Sequence, residues 1–203
     1  MVDINSREWW ENSFKNLWEA SSGREQTEFF CRLALEHLPK WIIDDITENH
    51  LSICDAGCAE GQGTHMLASL FSNSDVVGID FSDEAISKAR EYFPQVNFFA
   101  QDISHLPKKF DVVFCSNTLE HFTDPFSIME NIRKNTDKYL IILVPYQEYQ
   151  LCESHFFTFD KDTFPVRLDS FQIAYSGVID SGSYENTLWG GKQILVVYKN
   201  ERE

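Results

Sequence analysis

The sequence predicts an α/β domain built on a doubly wound, mostly parallel sheet. From residue 51 to about residue 145, short apolar runs alternate with amphipathic helical stretches, as expected of parallel βαβ units. Four of these apolar runs end at polar residues, which places polar side chains at one edge of the sheet. Beyond residue 170 two β-rich stretches follow each other without a helical segment, which predicts a closing antiparallel pair.

Residues 1–40 are expected to form a helical lid or cap. Trp9, Trp10, Phe14 and Trp18 recur at roughly one helical turn, which predicts a helix with one aromatic face. We expect that face to pack as a lid or as a homodimer contact. The stretch REQTEFFCRLALEHLP predicts a second amphipathic helix, which Pro39 ends.

Seven strands and three connecting helices follow in order. The predicted strands are LSICD, VVGID, VNFFAQ, FDVVFCS, YLIILVP, FQIAYSGVID and KQILVVYK. The predicted helices are THMLASLF, SDEAISKAREYF with Ser82 as its N-cap, and DPFSIMENIRKN with Pro125 in its first turn. This order indicates one domain, with a cofactor-binding core over 51–145. A substrate-side insertion and a terminal β-hairpin then occupy 146–203.

The amino-acid composition and net charge exclude some classes of binding partner but do not identify one. With 43% apolar residues, the 203-residue chain can bury a full core. Its 17 basic and 32 acidic residues give a net charge of −15, which disfavours nucleic acids and anionic membranes as partners. The five cysteines form no Cys-x-x-Cys pair, so we expect a reducing, cytoplasmic compartment and no metal site. No apolar run is long enough to cross a membrane.

The corner after the first strand reads DAGCAEG, and it is predicted to bind a ligand close to the main chain. Gly57 and Gly61 permit a tight turn with no Cβ in the way, and the next helix offers free N–H donors. Asp55 adds a carboxylate at the mouth of the corner. The alternative role for Asp55 is to cap the following turn.

Acidic residues also follow the next two strands. Asp80 lies 23 residues beyond Gly57, where a carboxylate can accept hydrogen bonds from both hydroxyls of a ribose. Phe81 can lie against an adenine face, and Asp102 can accept a hydrogen bond from an exocyclic amine. Ligands of such sheets bind beyond the carboxyl ends of the strands, so the pattern predicts an adenine nucleoside there.

Two cofactor classes carry an adenine nucleoside: dinucleotides and S-adenosylmethionine. The dinucleotide fingerprint Gly-x-Gly-x-x-Gly does not occur, and the carboxylate of Asp55 would repel a pyrophosphate. S-adenosylmethionine carries a sulfonium and an ammonium group instead, which an acidic mouth tolerates. A nicotinamide-dependent oxidoreductase is therefore disfavoured, whereas a non-catalytic adenosyl-ligand binder of the same fold stays open.

Four motifs, DAGCAEG, VVGIDFS, FFAQDIS and FDVVFCSNTLEHFTDP, resemble the cofactor motifs of the class I S-adenosylmethionine-dependent methyltransferases. The similarity is greatest to the small-molecule group that includes the ubiquinone and menaquinone biosynthesis enzymes. It implies a Rossmann-like sheet of seven strands, with the last strand antiparallel between the fifth and sixth. Ala59 stands where the family commonly has glycine. The resemblance implies a cofactor site of Asp55, Gly57, Cys58, Ala59, Gly61, Asp80, Phe81, Asp102, Ile103, Ser116 and Asn117.

Two histidines are candidates for a general base. His121 follows the fourth strand and His155 follows the fifth. Methyl transfer depends mainly on alignment, but an imidazole near a carboxylate can also remove a proton from the acceptor. The alternative is that each histidine caps or packs. Glu120 need not orient His121, because adjacent residues on a helix face different ways.

The expected activity is therefore methylation of oxygen or nitrogen on a small molecule, with S-adenosylhomocysteine as the second product. The opening stretch WWENSFKNLWEASSGREQTEFF resembles that of methyltransferases from polysaccharide and natural-product pathways. This similarity implies a sugar-like or other hydroxylated acceptor.

Overall fold

A computed structural model describes residues 2–185 and 187–202 of the chain. The helices are α1 (Arg7–Asn16), α2 (Gly23–His37), α3 (Lys40–Glu48), α4 (Gln62–Leu70), α5 (Asp83–Tyr92) and α6 (Pro125–Lys134). The strands are β1 (Ile53–Ala56), β2 (Val76–Asp80), β3 (Asn97–Ala100), β4 (Phe110–Ser116), β5 (Thr136–Tyr146), β6 (Arg167–Leu168), β7 (Phe171–Asp180) and β8 (Lys192–Asn200). All eight strands form one sheet in the order β3-β2-β1-β4-β5-β8-β7-β6.

The sheet topology confirms the predicted fold class. β1 pairs in parallel with both β2 and β4, and β3 and β5 extend this parallel part on either side. β8 runs antiparallel between β5 and β7. The sheet has one strand more than the seven predicted, because the two-residue β6 pairs with β7 at the edge. A strand of that length shows no hydrophobic alternation from which it could be predicted.

Two apolar layers cover the sheet, one on each face. On β5, Tyr139 and Ile141 point into the layer that contains α2, α3 and α4, whereas Leu140 and Ile142 point into the layer that contains α6. Successive side chains of a strand alternate between faces, so a strand buried on both sides reads as a continuous apolar run. This is why YLIILVP predicts β5 so clearly.

All five predicted helices are confirmed, and one further helix was not predicted. Ser82 accepts a hydrogen bond from the main-chain N–H of Ala85, as an N-cap does, and Pro125 begins α6. α2 ends at His37, ahead of Pro39. The unpredicted helix is α3, which buries Ile42 and Ile46 one turn apart. No helix among residues 2–185 and 187–202 has the length and apolar character needed to span a bilayer.

α1 is fixed to the N-terminus of α5. The carboxylate of Glu11 accepts hydrogen bonds from the main-chain N–H groups of Asp83 and Glu84 and from the Ser82 hydroxyl. A carboxylate is favourable there because the first N–H groups of a helix have no partner within it. Lys88 on α5 also donates to the main-chain oxygen of Phe14. These contacts hold the aromatic face of α1 over the C-terminal edge of the sheet.

Candidate active site

A cavity of about 540 Å³ lies between the aromatic face of α1 and the carboxyl ends of the central strands. Its volume is that of a small-molecule site. The predicted residues that line it are Asp55, Gly57, Ala59, Asp80, Phe81, Asp102, Ile103, Ser116, Asn117, His121 and His155. Eleven of the thirteen predicted site residues therefore line one cavity, because residues that end parallel strands meet at one edge.

Two predicted cofactor residues, Cys58 and Gly61, are not among the residues that line the cavity. Cys58 is buried in a small apolar cluster with Ile86 and Phe98. Gly61 precedes α4 with φ +89°, and a Cβ there would lie 2.7 Å from the ring of Phe98. Both residues pack on the side of the corner that faces away from the cavity, against Phe98. Their part in cofactor binding stays a prediction.

The corner after β1 places alternate residues in the left-handed region of backbone conformation. Gly57 has φ +85°, and Ala59 has φ +49°. A Cβ on Gly57 would lie 2.4 Å from the hydroxyl of Thr118, so this corner touches the corner that follows β4. The methyl group of Ala59 packs with Phe14 of α1, which accommodates the residue that stands in place of the usual glycine.

Asp80 ends β2 with its carboxylate buried at the cavity wall. One carboxylate oxygen accepts a hydrogen bond from the main-chain N–H of Ala59 at 3.1 Å, and the other accepts from Ser82 at 3.0 Å. Each oxygen keeps a second lone pair that a ligand hydroxyl can use. Burial raises the pKa of Asp80 to about 6.

The carboxylate of Asp55 is also buried, and it does not cap the next helix. It accepts a hydrogen bond at 2.7 Å from the hydroxyl of Thr64, which lies within α4. That helix has Gly61 at its N-cap and no side-chain capping bond, so the alternative role for Asp55 is wrong. Burial raises the pKa of Asp55 to about 7.

The carboxylate of Glu60, in the glycine-rich corner, forms ion pairs with two basic side chains of neighbouring helices. Its side chain is fully buried, with the Nε of Arg24 at 2.5 Å and the Nζ of Lys88 at 3.1 Å. The hydrogen bond to Glu60 raises the pKa of Arg24. The ion pairs tie α2 and α5 to the corner.

Both histidines reach the cavity, with ring centroids 5.0 Å apart. The Nδ1 of His121 lies 2.8 Å from the main-chain oxygen of Ser154, and the Nδ1 of His155 lies 2.6 Å from a carboxylate oxygen of Glu148. These acceptors favour a proton on Nδ1 of both rings, which leaves Nε2 with a free lone pair. Burial lowers the pKa of His121 to about 4.

Two residues at this end were not predicted from the sequence. Glu148, not Glu120, is the carboxylate that orients a histidine, and it lies seven residues before His155 in the same loop. The amide of Asn5 donates to the main-chain oxygens of His121 and Ser154, so the N-terminal segment closes this end. No local sequence motif indicates either contact, because both depend on how separate segments fold together.

Glu120 is the least satisfied charged group of the site. Its side chain is 1% exposed, and one carboxylate oxygen has no hydrogen-bond partner among the described residues. Its main-chain oxygen accepts from the N–H groups of Phe156 and Phe157, which brings the segment with His155 to this corner. Burial raises the pKa of Glu120 to about 8.

Two curated relatives match the core of the chain. A ubiquinone biosynthesis O-methyltransferase of Coxiella burnetii is 32% identical over 99 residues, covering 45% of this chain and 42% of the relative. A magnesium-protoporphyrin O-methyltransferase of Synechocystis is 31% identical over 111 residues, covering 50% of this chain and 47% of the relative. The match thus spans less than half the length of each relative.

Solved structures share the fold over nearly the whole chain. Magnesium protoporphyrin IX methyltransferase from Synechocystis, solved with bound SAM, superposes with a TM-score of 0.64 at 17% identity, covering 99% of this chain and 100% of that one. The plantazolicin methyltransferase, solved with SAH, gives 0.60 at 15% identity, covering 96% and 95%. A methyltransferase-domain family model matches residues 47–164, which is more than half of the chain. The protein therefore belongs to the methyltransferase-domain family, as its motifs predict.

Proposed function

We propose that the protein binds S-adenosylmethionine in this cavity and transfers the methyl group to oxygen or nitrogen of a small molecule. The observation that carries the proposal is the buried carboxylate of Asp80 at the cavity wall, held by two main-chain N–H groups. A carboxylate fixed at the end of the second strand suits the two hydroxyls of a ribose. Membership of the methyltransferase-domain family supports the same conclusion.

The lining fits each part of the cofactor. Asp102, after β3, would accept from the adenine amine, beside Ile103. The main chain at Gly57 would lie along the methionine portion, where a Cβ would intrude. Ser116 and Asn117 would lie near the amino end of that portion. When bound, the cofactor supplies an electrophilic methyl group on a sulfonium. The solved relatives that contain SAM or SAH are consistent with this assignment.

The other end of the cavity suits an acceptor with an apolar body and one ionisable group. Trp10, Trp18 and Trp189 supply apolar walls, and the two histidines lie among them. His155 is the better-placed base, because the carboxylate of Glu148, 2.6 Å from its Nδ1, orients the ring and leaves Nε2 to accept a proton. His121 is a weaker base, since burial lowers its pKa to about 4. A hydroxylated metabolite, sugar or natural product would meet these requirements.

The proposal is tested first by binding and then by turnover. We expect calorimetry to show one site for S-adenosylmethionine and for S-adenosylhomocysteine. Tritium from methyl-labelled cofactor should then appear in a member of a panel of small phenols, sugars and amines. His155→Ala should slow transfer by about 10²-fold or more without changing cofactor affinity. Binding without transfer to any panel member would favour a non-catalytic binder, and absence of binding would refute the proposal.

A further inference from the structure

Three potential metal ligands meet at the acceptor end of the cavity. Glu120 and His121 come from the corner after β4, and His155 comes from the loop after β5. One ligand atom from each side chain lies within 4.8 Å of the other two. This spacing allows one ion to contact all three after small side-chain movements, because metal–nitrogen and metal–oxygen bonds are about 2.0–2.2 Å long.

Each imidazole is held as a metal-binding histidine usually is. The Nδ1 of His121 is directed at a main-chain oxygen, and the Nδ1 of His155 at the carboxylate of Glu148. Such outer contacts fix the ring and its tautomer, and they leave Nε2 free to bind a metal. In the described part of the chain, no hydrogen bond to Nε2 of either ring competes with this role.

Glu120 provides an independent indication of a ligand. Its side chain is 1% exposed, it lines the cavity, and one of its carboxylate oxygens has no partner among the described residues. An unpaired buried carboxylate is costly unless a cation or a proton neutralises it. No lysine or arginine lines the cavity in the described part of the chain, so its lining supplies no such cation.

We propose that Glu120, His121 and His155 bind one divalent first-row transition-metal ion. Two imidazoles and one carboxylate favour Zn²⁺, Fe²⁺ or Co²⁺ over Mg²⁺ and Ca²⁺, which prefer oxygen ligands alone. Three protein ligands leave coordination positions open toward the cavity, where an acceptor oxygen could bind. The inference goes beyond the proposed function, because metal binding requires neither the cofactor nor methyl transfer. It also changes the role of His155: an imidazole whose Nε2 binds the ion cannot accept a proton, so in the metal-bound protein the ion, and not His155, would activate the acceptor. It also replaces the expectation that the site holds no metal.

A second cluster of potential metal ligands includes His155 and is the alternative metal site. Glu148, Cys152 and His155 also offer ligand atoms within 4.8 Å of one another. Cys152 is exposed, although it also lines the cavity, and Glu148 already engages the Nδ1 of His155. The structure therefore favours the arrangement with Glu120, in which Glu148 orients a ligand and does not bind the ion.

The test is a titration of the chelator-treated full chain with Co²⁺ and Zn²⁺. Calorimetry should give one ion per chain, and Co²⁺ should produce visible ligand-field absorption. Co²⁺ should also quench tryptophan fluorescence, since the rings of Trp10 and Trp189 lie 4.9 Å and 5.8 Å from the two imidazoles. His121→Ala, His155→Ala and Glu120→Gln should each weaken binding by about 100-fold, whereas the exposed His105→Ala should leave it unchanged.

Circular dichroism and S-adenosylhomocysteine affinity would show that each variant is folded. Equal Co²⁺ affinity in the wild type and all three ligand variants would overturn the proposal. So would a thiolate-to-Co²⁺ charge-transfer band that disappears in Cys152→Ser, because it would place the ion at the cluster of Glu148, Cys152 and His155. If the wild type binds S-adenosylhomocysteine but no ion, the metal site alone fails. If it binds the ion but no cofactor, only the proposed function fails.

Discussion

Two corners of the chain close the cavity, one after β1 and one after β4, and each contains a fully buried glutamate. Glu60 in the first corner pairs with Arg24 and Lys88. Glu120 in the second corner leaves one carboxylate oxygen unpaired among the described residues. A paired internal charge fixes neighbouring segments, whereas an unpaired charge facing a cavity is available to a ligand. In the proposed function, the first corner therefore shapes the end of the cavity that binds the cofactor, and the second lies at the end that binds the acceptor.

The largest expected effect tests the paired glutamate. Glu60→Gln should lower the free energy of unfolding by about 2 kcal/mol, because two cations lose their buried partner while both keep some exposure to water. The control is Glu19→Gln, whose side chain is 76% exposed and also lies near Arg24. That change should cost less than about 0.5 kcal/mol. Urea unfolding measures both, and equal losses would contradict the structural role of Glu60.

The next effect concerns the pH dependence of cofactor binding at the first corner. The pKa of Asp80 is raised to about 6 by burial, so the ionised form, which we propose binds the ribose, is a minority at pH 5. At pH 7 most molecules carry the ionised form of Asp80. The affinity for S-adenosylhomocysteine should therefore rise up to about tenfold from pH 5 to pH 7 and then level off. Calorimetry at each pH measures this, and a flat profile would contradict an ionised Asp80 in the binding step.

The smallest effect concerns the unpaired glutamate. Glu120→Gln in chelator-treated protein should leave the free energy of unfolding unchanged or raise it by up to about 1 kcal/mol. The reason is that the substitution removes a buried carboxyl group that has an unsatisfied oxygen and whose ionisation is made unfavourable by burial, so the gain should be largest above pH 8. The same urea experiment serves as the measurement, with Glu60→Gln as the matched comparison. If Glu120→Gln lowered the free energy of unfolding as much as Glu60→Gln does, the claim that only Glu60 has a structural role would be contradicted.

The sequence predicted the cofactor end better than the acceptor end. Asp80 and Asp102 end predicted strands, and the topology of a parallel sheet brings such residues together. His121 and His155 were predicted as candidates for the same reason. Their surroundings were not predictable, because Glu148 and Asn5 reach them through the packing of a long loop and the N-terminal segment. Nor does spacing along the chain reveal that Glu120 would be buried without a full set of partners.

The most direct test of the central claim compares carboxylates at opposite ends of β2. Asp80 ends this strand at the cavity, whereas the exposed Asp75 precedes it at the other edge and pairs with Lys108. Both are changed to asparagine, and the dissociation constant of S-adenosylhomocysteine is measured by calorimetry. We predict that Asp80→Asn weakens binding by about 30-fold or more, through loss of charge-assisted hydrogen bonds, while Asp75→Asn matches the wild type. Equal affinity in all three proteins would contradict a nucleoside site at the carboxyl end of the sheet.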